Sequence, residues 1–302
     1  MSSVDFHPEL ARSARFIPRR LVTPWTLPVF QRLTRLQGRR LPKGVEVLTL
    51  TNGVGVRLYR PSGADGRGPG LLWIHGGGYV IGTAAQDDRL CRRFADELGA
   101  TVASVEYRLA PQHPYPAGLE DCYSALKWLA KLPAVDPARL AIGGASAGGG
   151  LAAALALLAR DRGEVPVAAQ LLVYPMLDDR AVGRELDHAG HRLWTHTSNQ
   201  FGWSAYLGNA DPAVAVPARR EDLAGLPPAW IGVGTLDLFH DEDLEYAERL
   251  KAAGVPCQVE VVSGAFHGFD QIVAKAEVSR AFVDSQCAWL RDAFTANDRV
   301  CT

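Results

Sequence analysis

Leu140-Ala141-Ile142-Gly143-Gly144-Ala145-Ser146-Ala147-Gly148-Gly149-Gly150 is an apolar run that breaks into glycines around one serine and then continues as the apolar stretch to Ala159. The uncharged window from Leu140 to Ala159 reaches membrane length, but five glycines and Ser146 interrupt its first half. A strand, a sharp turn and a buried helix explain it better than a bilayer span. Gly144-Ala145-Ser146-Ala147-Gly148 then has G-x-S-x-G spacing between a strand, Leu140–Gly143, and a helix, Ala147–Arg160, the context of a nucleophile elbow. A serine on a strained turn needs neighbours two residues away without bulky side chains, and the following helix aims its N-terminal dipole at developing negative charge. A phosphate loop has little support, since neither G-x-G-x-x-G nor G-x-x-x-x-G-K-[ST] occurs.

The alternation of strand and helix extends outward from this point. Upstream, Val45–Leu50 and Val54–Tyr59 read as a hairpin across Thr51-Asn52-Gly53, followed by the strand Leu71–His75, the helix Gln86–Leu98, the strand Thr101–Tyr107 and the helix Gly118–Leu132. Downstream come the strand Val167–Tyr174, the strand Trp230–Gly234, the helix Asp241–Ala253, the strand Cys257–Val262 and a closing helix, Val273–Phe294. Apolar strands alternating with helices imply an α/β fold with a parallel sheet covered on both faces. The rhythm breaks between Leu177 and Asp222, in a run rich in His, Arg and Trp. An insertion of about 45 residues exceeds an ordinary connection and is the usual place for a lid or binding subdomain. Residues 178–222, with the N-terminal segment 1–43, are therefore expected to cap a core made of residues 44–177 and 223–302.

The segment 1–43 holds nine Lys/Arg against Asp5 and Glu9, a net of +7 that leaves −8 for the rest of the chain. Phe30, Leu33 and Leu36 fall at helical spacing with Arg32, Arg35, Arg39 and Arg40 off that line. Two readings follow: a membrane-surface or lid helix, or a packed helix whose basic face is solvated. The second is the commoner arrangement.

The 302 residues carry 32 Lys/Arg against 33 Asp/Glu, so the net of −1 gives no field to gather phosphate backbones, and nucleic acid is not an expected partner. With 47% apolar and 22% charged residues, the composition excludes collagen, coiled-coil and disordered classes. The first residues have neither a basic n-region nor an apolar h-region, so a cytoplasmic location without integral membrane contact is expected. Cys91, Cys122, Cys257, Cys287 and Cys301 are odd in number and lack C-x-x-C, which disfavours a disulfide framework and a thiolate zinc site; no metal site is expected.

A serine hydroxyl needs a base, and the base a carboxylate to orient it. Asp237 follows the strand Trp230–Gly234 and His267 follows Cys257–Val262, at the sheet edge that carries Ser146, where open α/β sheets bind ligands. Among eight histidines, His7 and His113 lie in Pro-containing loops, His240 begins a helix, and His188, His191 and His196 fall in the insertion. Asp241 and Glu242 compete with Asp237, but carboxylates in a first helical turn are accounted for by the dipole. His75-Gly76-Gly77-Gly78 ends another strand, and the N–H groups of Gly77, Gly78 and Ala147 are the expected oxyanion-hole donors. The His75 side chain itself reads as structural.

These blocks, with Tyr79, the run Tyr107-Arg108-Leu109-Ala110-Pro111-Gln112-His113-Pro114-Tyr115-Pro116-Ala117, and His267-Gly268-Phe269, resemble the hormone-sensitive-lipase-like branch of the α/β-hydrolases, bacterial carboxylesterases and lipases. The resemblance spans residues 71–270. It implies a mostly parallel eight-stranded sheet with helices on both faces, a helical cap, and hydrolysis of short- to medium-chain acyl esters by Ser146, His267 and Asp237 without metal or organic cofactor. The family usually has Asp or Thr where Ala145 stands, Glu where Gln112 stands, and Pro-Leu where Leu238-Phe239 stand, so acyl preference and subfamily stay open. The Pro-rich run from Tyr107 reads as a rigid support for the site.

Trp25, Phe30, Trp194, Phe201, Trp203 and Tyr206 are candidates for an apolar substrate pocket, or else pack the cap on the core. A non-catalytic ligand-binding receptor on this fold is the alternative from another class, disfavoured by the presence of His267. An amidase, lactonase, deacetylase, transferase or interfacial lipase would share the same three residues. The strand Cys257–Val262 is a candidate sheet edge for a homodimer.

Overall fold

Leu236 of one strand stands opposite Phe266 of its neighbour at the end of an eight-stranded sheet, ordered β1-β2-β4-β3-β5-β6-β7-β8 in the computed structural model. The structure describes residues 4–20, 22–23, 25–38, 42–63, 66–180 and 188–296. Residues 1–3, Arg39, Arg40, part of the 178–222 insertion and Cys301 lie outside them.

The strands are β1 (Val45–Thr49), β2 (Gly55–Tyr59), β3 (Gly68–Ile74), β4 (Thr101–Glu106), β5 (Val135–Ala145), β6 (Ala169–Val173), β7 (Ala229–Leu236) and β8 (Cys257–Phe266). The β1–β2 hairpin and the β2–β4 pair are antiparallel; the pairs from β4 through β3, β5, β6 and β7 to β8 are parallel. The α-helices are α1 (Pro8–Ala14), α2 (Leu27–Gly38), α3 (Asp88–Leu98), α4 (Ala117–Ala130), α5 (Ala147–Arg162), α6 (His196–Leu207), α7 (Pro212–Ala215), α8 (His240–Ala252), α9 (Phe269–Ile272) and α10 (Glu277–Ala296).

Strands such as Ala169–Val173 are apolar, apart from Gln170, whose Nε2 donates to Pro227 O at 2.8 Å, because both faces are buried. One apolar cluster joins Trp73, Phe94, Phe282 and Leu290, from the sheet, α3 and α10. A second joins Leu126, Leu155, Tyr246 and Leu250 of α4, α5 and α8 to the other face. Each such large side chain contributes about 1.5–3 kcal/mol on burial.

Three elements differ most from expectation. β8 runs on past Val262 to Phe266, because Gly264, at φ +69°, admits an irregularity while its N–H donates to Thr235 Oγ1 at 2.8 Å. The glycine that reads as a strand end is instead a bulge within the strand. The closing helix begins at Glu277 instead of Val273, with a separate short helix, α9, before it, and β5 begins at Val135 instead of Leu140.

The N-terminal segment and the insertion are tied together. Leu193 N–H donates to Pro18 O at 3.0 Å, Ser198 Oγ to Val22 O at 3.1 Å, and Arg192 Nε to Ala14 O at 2.6 Å. Helix α2 packs through Leu27, Gln31 and Gly38, not through Leu33 and Leu36, which are exposed; Phe30 is half-buried. Gln31 Nε2 donates to Val80 O at 2.9 Å, and Gly38 comes so close to Thr83 that a Cβ would lie 2.8 Å from its hydroxyl. A small residue and an amide thus make the inward face, which apolar periodicity alone does not reveal.

Candidate active site

The elbow is built by strain held in a frame. Ser146 has φ 58° and ψ −125°, a conformation that costs on the order of 1–3 kcal/mol and persists only where its surroundings impose it. Its N–H donates to Val173 O at 2.9 Å, and its carbonyl accepts from Met176 and Gly150, each at 3.0 Å. The motif glycine after the serine is required by space: a Cβ on Gly148 would lie 2.0 Å from the Ile74 carbonyl oxygen. Helix α5 therefore enters directly against the end of β3.

Ser146 Oγ lies 2.9 Å from His267 Nε2, and His267 Nδ1 lies 2.8 Å from Asp237 Oδ2. The other carboxylate oxygen of Asp237 accepts from Phe239 N–H at 3.0 Å. All three residues are buried. The imidazole is held by the edges of two rings, Tyr174 at 4.9 Å and Phe239 at 5.1 Å. The Tyr174 hydroxyl in turn donates to Asp270 at 2.7 Å.

Gly77 and Gly78 follow β3 with φ +128° and +59°. A Cβ on Gly78 would meet the Trp194 ring at 1.9 Å. The N–H groups of Gly77, Gly78 and Ala147 donate to no other group among the described residues, while neighbouring groups fix the loop. Tyr107 OH donates to His75 O at 3.0 Å, Ala110 N–H to Tyr79 O at 2.9 Å, and the His75 ring stacks on Tyr107. The Pro-rich run from Tyr107 thus lies beneath the glycine loop. Burial holds His75 below the usual histidine range.

A cavity of about 150 Å³ opens on Ser146 and His267, bounded by Gly76–Gly78, Val22, Ile81, Leu193, Trp194 and Ile272. Larger hollows of about 660 and 410 Å³ have neither Ser146 nor His267 in their walls. Of the six aromatic candidates, Trp194 lines the catalytic cavity, its indole donating to Asn199 Oδ1 at 3.1 Å. Trp203 and Tyr206 pack on Tyr79, and Phe201 packs against the core. Trp25 is 92% exposed. Sequence reasoning did not single out Tyr174, Gln271 or Ile272; position at a strand end, and in the residues after His267-Gly268-Phe269, is the signal that points to them.

Behind the site, burial raises Asp87 to about 7, with Asp270 and Asp88 adding to the shift and the Trp73 indole N–H opposing it. Burial also raises Asp270.

A family model described as the alpha/beta hydrolase fold matches residues 71–271, and the chain belongs to that family. It is a carboxylic ester hydrolase of the hormone-sensitive-lipase-like branch. It is 39% identical over 226 residues to Esterase LipI of Mycobacterium tuberculosis, covering 72% of this chain and 71% of that protein. It is 36% identical over 245 residues to Ethyl acetate hydrolase of Pseudomonas putida, covering 76% of each. The solved structure of Bacterial Heroin Esterase is similar, with a TM-score of 0.85 at 38% identity over 96% of this chain and 98% of that one. Among the described residues no helix is long and apolar enough to cross a membrane.

Proposed function

We propose that this esterase hydrolyses short-chain acyl esters through an acyl-enzyme on Ser146, with His267 as base and acid and Asp237 as the group that orients it. The observation that carries the reading is the buried chain from Ser146 Oγ to His267 Nε2 at 2.9 Å and from His267 Nδ1 to Asp237 Oδ2 at 2.8 Å. Ser146 Oγ attacks the ester carbonyl as its proton passes to Nε2; the imidazolium, held by Asp237, returns that proton to the leaving alcohol. Water, deprotonated by the same nitrogen, then releases the carboxylic acid and restores Ser146. The N–H groups of Gly77, Gly78 and Ala147 stabilise the oxyanion in both steps, one such donor being worth about 10²–10³ in kcat.

The short-chain preference is supported by the cavity of about 150 Å³, room for on the order of five water-sized groups. The name of the ethyl acetate hydrolase it resembles points the same way. The N-terminal segment and the insertion act as the cap, Trp194 bringing its roof down on Gly78. A cytoplasmic location accords with the free thiols of Cys91, Cys122, Cys257 and Cys287, and cell fractionation tests it. β8 is a sheet edge, and a homodimer through it predicts twice the monomer mass by light scattering.

The decisive experiment is hydrolysis of p-nitrophenyl esters of increasing chain length, with Ser146→Ala as control. A pre-steady-state burst that disappears in Ser146→Ala, with an optimum at short acyl chains, supports the reading. Turnover that survives in Ser146→Ala overturns it; absence of turnover in the folded, unmodified protein favours a ligand-binding role.

A further inference from the structure

Helix α2 turns an apolar side to solvent. Trp25, Val29, Leu33 and Leu36 are spaced by four, four and three residues, one side of a helix and the turn leading into it. They are 92%, 59%, 55% and 53% exposed. The opposite side is the one that packs, through Leu27, Gln31 and Gly38. An apolar stripe of this length on a surface marks an interaction site. Exposed Arg32 stands one helical turn from both Val29 and Leu36. Residues 1–43 carry a net of +7 in sequence, against −8 for the remainder, so the positive charge is concentrated in the segment that bears the stripe. Val22, three residues before Trp25, lines the catalytic cavity, as does Ile272, itself 53% exposed.

We propose that α2 docks the protein on an anionic lipid surface, with Trp25, Val29, Leu33 and Leu36 in the interfacial layer and Arg32 toward the headgroups. An apolar stripe beside cations fits that partner in both its layers. A second copy fits less well, since a two-fold contact through this face brings the Arg32 side chains of both copies into one interface. The docking is independent of the catalytic assignment, because none of its residues touches Ser146, His267 or Asp237. Its consequence for the enzyme is that the cavity wall at Val22 sits close to the lipid, where membrane-derived esters are presented.

The test uses the full chain in co-sedimentation with vesicles of phosphatidylcholine alone or mixed with phosphatidylglycerol. Binding to the anionic vesicles is expected at about 20 mM salt and is expected to weaken at high salt. Leu33→Ser combined with Leu36→Ser is expected to weaken it by about tenfold or more, while turnover of a soluble short-chain ester, the check on folding, is unchanged. Arg32→Glu is expected to weaken binding to anionic vesicles selectively. Failure of the unmodified protein to bind anionic vesicles at low salt overturns the proposal, as does equal binding by the Leu33/Leu36 variant. A dimer that the same variant converts to monomer in light scattering gives the face to a second copy instead.

Discussion

Asp237 and His267 meet at 2.8 Å because each stands one residue beyond the paired ends of adjacent parallel strands, Leu236 of β7 and Phe266 of β8. The acid is thus set by strand register, with no long loop to order. Asp237→Asn keeps an oxygen for the Phe239 N–H but loses the charge that holds the imidazole and its tautomer. We expect kcat to fall by about 10⁴ with little change in KM, and steady-state kinetics with intact circular dichroism checks it.

Gly78→Ala places a methyl 1.9 Å from the Trp194 ring at a position with φ +59°. The loop has to shift, and with it an oxyanion donor. A loss of about 10²–10³ in kcat is expected. Adding Trp194→Ala relieves the clash but not the backbone conformation, so the two substitutions together are expected to destabilise by less than the sum of their separate effects, without regaining full kcat.

Trp194→Ala on its own removes part of the roof of the catalytic cavity. The chain-length optimum is expected to move to longer acyl groups, read as the ratio of kcat/KM for octanoyl and acetyl p-nitrophenyl esters. Because Trp194 is buried and bonded to Asn199, stability is expected to drop by about 3–5 kcal/mol; Trp194→Phe is expected to give a smaller shift of both. An unchanged ratio in a folded variant removes Trp194 as the determinant of acyl size.

Asp87 titrates at about 7 in the folded protein, against about 3.9 when unfolded. Between those values the folded state holds a proton that the unfolded chain has released. The group's contribution to stability is therefore complete below the unfolded value and is lost as pH rises through 7. Asp87→Asn still offers an oxygen to the Trp73 indole N–H. Urea unfolding of this variant is expected to depend less on pH between about 4 and 8, with a residual slope of the same sign from Asp270, which burial also raises. An unaltered slope counts against burial of Asp87 as the cause.

The catalytic residues were legible for local reasons. Ser146 is marked by glycines that its strained turn and the close approach of Ile74 require, and Asp237 and His267 by their chain order and position after apolar strands. β8 was legible only to Val262, because a glycine that accommodates a bulge looks in sequence like one that ends a strand.

The sequence by itself determined the parallel α/β architecture, the elbow and the residues that meet there, since side-chain period, apolar runs and turn chemistry act over a few neighbouring residues. Only the tertiary structure decided that Trp194 lines the catalytic cavity while Trp203 and Tyr206 pack on Tyr79, and that α2 presents Leu33 and Leu36 to solvent. The face a helix turns inward depends on what it meets. Here it meets the Val80 carbonyl and Thr83, which an amide and a glycine satisfy better than leucines.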